Sequence, residues 1–311
     1  MIKKILINFP TNIGDIILTF PAIDLIRASY PQSQMTAIAS SYTHDFLSRY
    51  SPIDDVVVYD KHWPIKDKRK FCGKLKGGYD LMIDFKHSLL PFILRIKKHT
   101  PLIRLGKMPL HNKDKNISLV SSFLKVHKAP RGEIVLKNKE KMHMESLELK
   151  PSIFVSTYSR SRIKVYPQDK LREILKHFLP EYSVVLLGDK KSSSYYKGIS
   201  LMEGVVDLSG ETTLAEVYYL MVHYCQAILC VDSSLLHLAS YLNLKIVALF
   251  GPTDENCYGP FSQDYRVITN DSIECRPCNK AECCRNCECM KEIESRKVIE
   301  ALRMMLKADL S

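Results

Sequence analysis

Asp232-Ser233-Ser234 stands between a short branched apolar run, Ala227–Val231, and a stretch where Leu235, Leu236, Leu238, Ala239 and Leu242 recur at helical spacing. A polar turn in that place caps a helix and leaves the first backbone N–H groups free for an anion. His237 lies one helical turn in, where it can face the same rim. Lys245–Phe250 is a second branched run, ended by Gly251-Pro252-Thr253-Asp254. Strand, polar turn, helix, strand is a βαβ unit, and open α/β sheets take ligands at the carboxyl ends of their strands. Phosphate or diphosphate binding suits this turn; an ordinary capped helix is the plain alternative.

Two further groups invite chemistry. Gly188-Asp189 ends another apolar run, and an acid there can accept ribose hydroxyls or simply cap the next helix. Cys275-x-x-Cys278, Cys283-Cys284, Cys287 and Cys289 crowd into one segment with spacing of the kind zinc sites use. Cys225 and Cys230 read as core residues, and Cys72 and Cys257 stand apart.

These residues need a scaffold. Strand-like runs fall at 3–9, 34–39, 55–59 and 79–85, with 101–105 a further candidate. Residues 10–15 read as a turn and 16–29 as a helix bent where Pro21 lacks its N–H donor. A helix is expected at 42–50, while 61–78 is a lysine-rich loop or short helix without clear period. Past the charged stretch 128–150 the pattern restarts with strands at 152–156, 183–187 and 205–208. Helices at 167–178, 190–200 and 214–223 alternate with them. Alternation of this kind gives parallel sheets covered on both faces. Two successive arrays predict domains 1–148 and 149–292, with ligands in a cleft between them. The amphipathic segment 293–311 closes the chain as a helix, expected to pack back towards the N-terminal domain.

The chain has 311 residues, 46% hydrophobic and 25% charged, as soluble globular proteins do, and no apolar run approaches a membrane span. Met1-Ile2-Lys3-Lys4 leads straight into a strand, so no signal peptide is read and a cytoplasmic location is expected. The net charge of +11 is uneven: residues 61–150 hold 22 Lys and Arg against 8 Asp and Glu. That suits a phosphorylated substrate, anionic lipid or nucleic acid, or merely a well-solvated surface.

Asp232-Ser233-Ser234-Leu235-Leu236-His237-Leu238-Ala239, followed by Ala248-Leu249-Phe250-Gly251-Pro252-Thr253-Asp254, resembles the donor-binding segment of the bacterial heptosyltransferases, glycosyltransferase family nine. Ser234 stands where that family carries glycine, so a diphosphate must approach past a small side chain. Ile13-Gly14-Asp15 and Pro21-Ala22-Ile23-Asp24-Leu25-Ile26-Arg27 resemble its first loop and helix. There the resemblance implies that Asp15 is the general base, with a helix-cap role as the alternative. Phe9 replaces an arginine common in relatives. Ser156–Pro167 resembles the family loop ending in lysine, tryptophan and proline, with Tyr166 for the tryptophan. Lys164 then offsets charge gathering on the leaving diphosphate, assisted by Arg160 and Arg162. Thr157 and Ser159 are phosphate-contact candidates, and Glu216 matches a family helix position whose expected state is solvent exposure. Relatives carry a sparser form of the cysteine segment without a metal role in catalysis, so no metal is assigned to the mechanism.

The resemblance implies an α/β protein of GT-B architecture, two Rossmann-like domains facing across a cleft. The reaction implied is inverting, metal-independent transfer of a heptose from ADP-heptose to a lipopolysaccharide inner-core acceptor. Asp15 and Lys164 are the catalytic residues; Thr157, Ser159, Asp189, Asp232, Ser233, Ser234, Leu235, His237 and Thr253 bind the nucleotide sugar. No cofactor is implied. The basic stretch is expected to meet the phosphorylated acceptor, with peripheral contact at the inner membrane surface. A zinc-stabilised nucleic-acid-binding protein is the rival reading, but no nucleic-acid motif or aromatic–basic interleaving supports it, so no nucleic-acid partner is assigned. A sugar-nucleotide epimerase on the same scaffold needs more cleft acids than the sequence places there.

Overall fold

A computed structural model of the chain describes residues 2–102 and 110–307. The chain divides into two compact units, 1–135 and 136–311. In the first, β1 (Lys4–Asn8), β2 (Gln34–Ala39), β3 (Asp55–Val58), β4 (Leu81–Asp84) and β5 (Lys98–His99) form one sheet, ordered β3-β2-β1-β4-β5. Every pairing is parallel. Ile5, Leu6 and Ile7 are fully buried, as expected when a sheet is covered on both faces. The fifth strand lies at Lys98–His99; of the candidate at 101–105, residues 101–102 are not strand and 103–105 fall outside the described residues.

Helix formation in this unit departs from the sequence expectation at 13–29 and resolves the loop-or-helix alternative at 61–78. Residues 13–29 form two helices, Ile13–Ile17 and Phe20–Ser29, rather than a turn and one bent helix. Pro21 sits in the first turn of the second, where its missing N–H costs nothing. Ile65–Leu75 is a full helix although five of its eleven residues are basic. Phe71 and Leu75, four residues apart, anchor it against Leu6, Ile38 and Met82 with Cys72 partly buried beside them, and most of the remaining positions face water.

The second unit holds β6 (Ser152–Ser156), β7 (Ser183–Leu186), β8 (Val205–Asp207), β9 (Cys225–Val231), β10 (Ile246–Leu249) and β11 (Tyr265–Ile268). Their order is β11-β10-β9-β6-β7-β8, again wholly parallel. The sequence reading misses β11 because this edge strand is half-exposed and carries no buried run. Helix Asn138–Glu145 belongs to this unit, packing on helix Leu214–Tyr224 with Tyr219 donating to Glu145 at 3.0 Å. The division between units therefore falls earlier than the sequence boundary at 148/149.

Helix Ser295–Lys307 also belongs to the second unit, where the sequence reading had placed it towards the first. It packs on helix Gln168–Phe178 and on β9, β10 and β11. Val298, Ala301, Leu302, Met305 and Leu306 enter that unit's core. Burying each large side chain is worth about 1.5–3 kcal/mol, which makes the closing helix part of the fold and not an appendage.

Candidate active site

The neighbours of β6 are β7 on one side and β9 on the other, so the chain runs outward from β6 and then returns to start in the opposite direction. A crevice opens at such a switch point because the two connections leave the sheet towards opposite sides. The connection after β6 contains the short 3₁₀ turn Arg162–Lys164, and the one after β9 is Asp232-Ser233 leading into helix Ser234–Tyr241. Lys164 Nζ and Asp232 Oδ2 meet there at 2.6 Å. Asp232 is 7% exposed, and a carboxylate so buried requires a partner, which Lys164 supplies. His237 Nε2 lies 3.8 Å from the other Asp232 oxygen. The structure thus brings three sequence-predicted residues into one charged group.

Ser233 is the N-cap of the helix with extended backbone, yet its side chain makes no cap hydrogen bond. Its Oγ is buried without a hydrogen-bond partner among the described residues, and so is Thr253 Oγ1. Buried hydroxyls are nearly always paired in folded proteins, and these two unpaired ones lie in the loops that follow β9 and β10. Ser234 and the buried Leu235 complete the first helical turn.

The other predicted residues play more supporting parts. Thr157 is fully buried; its N–H donates to Tyr196 Oη at 2.9 Å and its hydroxyl lies 3.4 Å from Tyr195 Oη. It therefore seats the loop on two tyrosines. Ser159 Oγ accepts from Ser161 N at 3.3 Å. Asp189 caps helix Lys190–Tyr196 through Lys191 N and Ser192 N and also accepts from Arg160 Nε at 2.7 Å. Burial pushes its carboxyl up, but Arg160 and the two N–H groups outweigh that and hold it below the usual range. Arg162 is exposed. Glu216, expected in solvent, is buried: its carboxylate accepts from Thr213 N at 2.7 Å in a reciprocal capping box. The Thr-x-x-Glu spacing announced that role.

Asp15 is the third residue of helix Ile13–Ile17, half-buried, and accepts from Asn12 Nδ2 at 3.0 Å. The switch point of this sheet lies between β1 and β4. Asn8 and Asp84, paired in register at those strand ends, hydrogen bond at 2.8 Å. Asp84 is 1% exposed and also accepts from Ser88 N, Ser88 Oγ and Lys86 N. Sequence reasoning missed this cluster; the signal was an acid ending an apolar strand. Phe9 is fully buried against Phe85.

The cysteine segment supplies no member of the Lys164–Asp232–His237 group. Among the described residues no three His, Cys, Asp or Glu side chains are arranged to hold a metal ion. Cys283 Sγ accepts from Arg285 N and Cys287 N, which lower its thiol pKa. Burial pushes the Cys289 thiol up to about 11.

Comparison with known proteins bears on the fold and the family. Lipopolysaccharide heptosyltransferase 2 of Escherichia coli is 24% identical over 307 residues, covering 85% of this chain and 87% of that protein. Its solved structural counterpart, E. coli ADP-heptose lipopolysaccharide heptosyltransferase II, superposes with a TM-score of 0.80 at 23% identity, covering 99% and 100% of the two chains. A glycosyltransferase family 9 structure from Veillonella parvula gives 0.82 at 21% identity over 98% and 97%. These likenesses show the fold, an α/β GT-B type built on two parallel sheets. The profile of glycosyltransferase family 9 (heptosyltransferase) matches residues 107–288, more than half of the chain and both loops that form the Lys164–Asp232 pair. This chain belongs to glycosyltransferase family 9, the heptosyltransferases.

Proposed function

We propose that the chain transfers a heptose from ADP-heptose to a hydroxyl of a phosphorylated lipopolysaccharide core acceptor, with inversion at the sugar carbon. The observation that carries the reading is the Lys164–Asp232 pair at the β6/β9 switch point, flanked by the orphaned Ser233 and Thr253 hydroxyls. The similar E. coli proteins bear the names that suggest this donor and acceptor. Asp15 takes the proton from the acceptor hydroxyl as its oxygen bonds to the anomeric carbon. The bond from that carbon to the diphosphate breaks, and ADP departs with the electron pair. Lys164 and the first N–H groups of helix Ser234–Tyr241 meet the charge that develops on the diphosphate. Asp232 and His237 hold Lys164 and the sugar hydroxyls in place. The basic surface of the first unit meets the acceptor phosphates and the anionic inner membrane surface.

Calorimetric titration with ADP tests the reading. Ser234→Glu places a carboxylate at the helix start and is expected to weaken ADP binding at least tenfold, about 1.4 kcal/mol. Equal affinity in the two proteins would put the donor elsewhere.

A further inference from the structure

The cysteine segment carries no step of the proposed reaction, yet it is built against the loop that closes β10. Arg276, between Cys275 and Pro277, has a side chain 6% exposed. Its Nε donates to the Gly251 carbonyl at 2.9 Å, one terminal nitrogen to Glu255 at 2.7 Å and the other to Asp271 at 2.8 Å. Asn279, in left-handed backbone conformation, donates its N–H to the Pro252 carbonyl at 2.8 Å. Its side-chain oxygen accepts from Asp254 N at 3.2 Å.

Three anchors from one segment therefore fix Gly251, Pro252 and Asp254. The residue left between them is Thr253, whose buried hydroxyl has no partner among the described residues. A loop pinned on both sides of an orphaned hydroxyl presents that hydroxyl in one place, which is what a ligand contact needs. A buried guanidinium suits the task because its rigid fork reaches a carbonyl and two carboxylates at once; a lysine ammonium cannot copy that geometry.

We infer that Arg276 is a positioning residue for the nucleotide-sugar donor, acting through the 251–254 loop to set Thr253. The inference rests on the donor reading above. Calorimetry with ADP on purified protein, together with steady-state kinetics in ADP-heptose, tests it. In Arg276→Lys the ADP dissociation constant and the donor KM are expected to rise about tenfold, with kcat nearly unchanged. Thr253→Val alone should weaken ADP, and adding Arg276→Lys to it should cost little more, since both act on one contact. A merely structural arginine would instead give additive losses, and that result overturns the inference. Should Arg276→Lys lose its cooperative thermal transition, Glu255→Gln loosens the fork from the other side and should shift ADP affinity in the same direction. Unchanged ADP affinity in every folded variant also overturns it. If the parent protein itself does not bind ADP, the donor reading fails first, so the two failures are told apart.

Discussion

At the residue scale the charged groups differ in how much of their work is visible. Lys164 and Asp232 are paired at 2.6 Å, so each already meets the other's charge, with Asp232 buried and Lys164 partly exposed. Asp15 differs: it accepts from Asn12 Nδ2 and is only half-buried. A base needs that openness, because its lone pair must reach an incoming hydroxyl. Asp15→Asn keeps the size and the contact to Asn12 and removes the basicity. ADP binding should stay as it was while heptose transfer, measured by ADP release with saturating acceptor, falls about 10²–10⁴-fold. Transfer within a few fold of the parent rate would remove Asp15 from the role.

The elements show why small residues stand where they do. Gly251 lies two residues past the end of β10, and a Cβ built there would lie 2.5 Å from Met290 Cγ and 2.6 Å from its Sδ, with Cys289 Sγ at 3.1 Å. The two Met290 atoms lie in the middle of a fully buried side chain, so relief requires the core around them to shift. Gly251→Ala should therefore lower stability by about 1–3 kcal/mol, read as a shift of the urea midpoint at constant slope. A midpoint within error of the parent would show that the segment gives way. Packing at this point and the Arg276 fork act on the same turn from two sides, so loop and cysteine segment behave as one element.

On the scale of the whole molecule the charge of +11 is concentrated in the first unit and its edge. Helix Ile65–Leu75 turns Lys66, Arg69, Lys70 and Lys74 to solvent. Leu89, Phe92 and Ile93 expose apolar side chains close in sequence to exposed Arg95, Lys97 and Lys98. No helix among the described residues is long and apolar enough to cross a membrane. Exposed apolar groups among basic ones suit a surface contact with anionic lipid, worth about 1 kcal/mol per basic residue near the headgroups. Sedimentation with vesicles containing anionic lipid should show binding that weakens as salt rises. Phe92→Ser with Ile93→Ser should weaken it further at any salt. Equal sedimentation with neutral and anionic vesicles would count against this surface.

The sequence by itself determined what is local. Buried parallel strands read as branched apolar runs, so β2 and β6 fall where the pattern puts them, and the Asp232-Ser233-Ser234 turn marks the helix start that the structure contains. The Thr213-x-x-Glu216 box carries a local signal of the same kind, cap and partner three residues apart, although Glu216 is expected in solvent when that spacing is overlooked. Where local signal is thin the reading thins too: helix Ile65–Leu75 is anchored at two positions and β11 is half-exposed. Only the tertiary structure decided which distant groups meet. Lys164 and Asp232 are 68 residues apart, Asn8 and Asp84 are 76, and Arg276 and Gly251 are 25. Each meeting follows from strand order, and strand order is set by how two faces of a sheet are covered at once. No periodicity within a single segment encodes that condition, because it belongs to the packing of all the segments together.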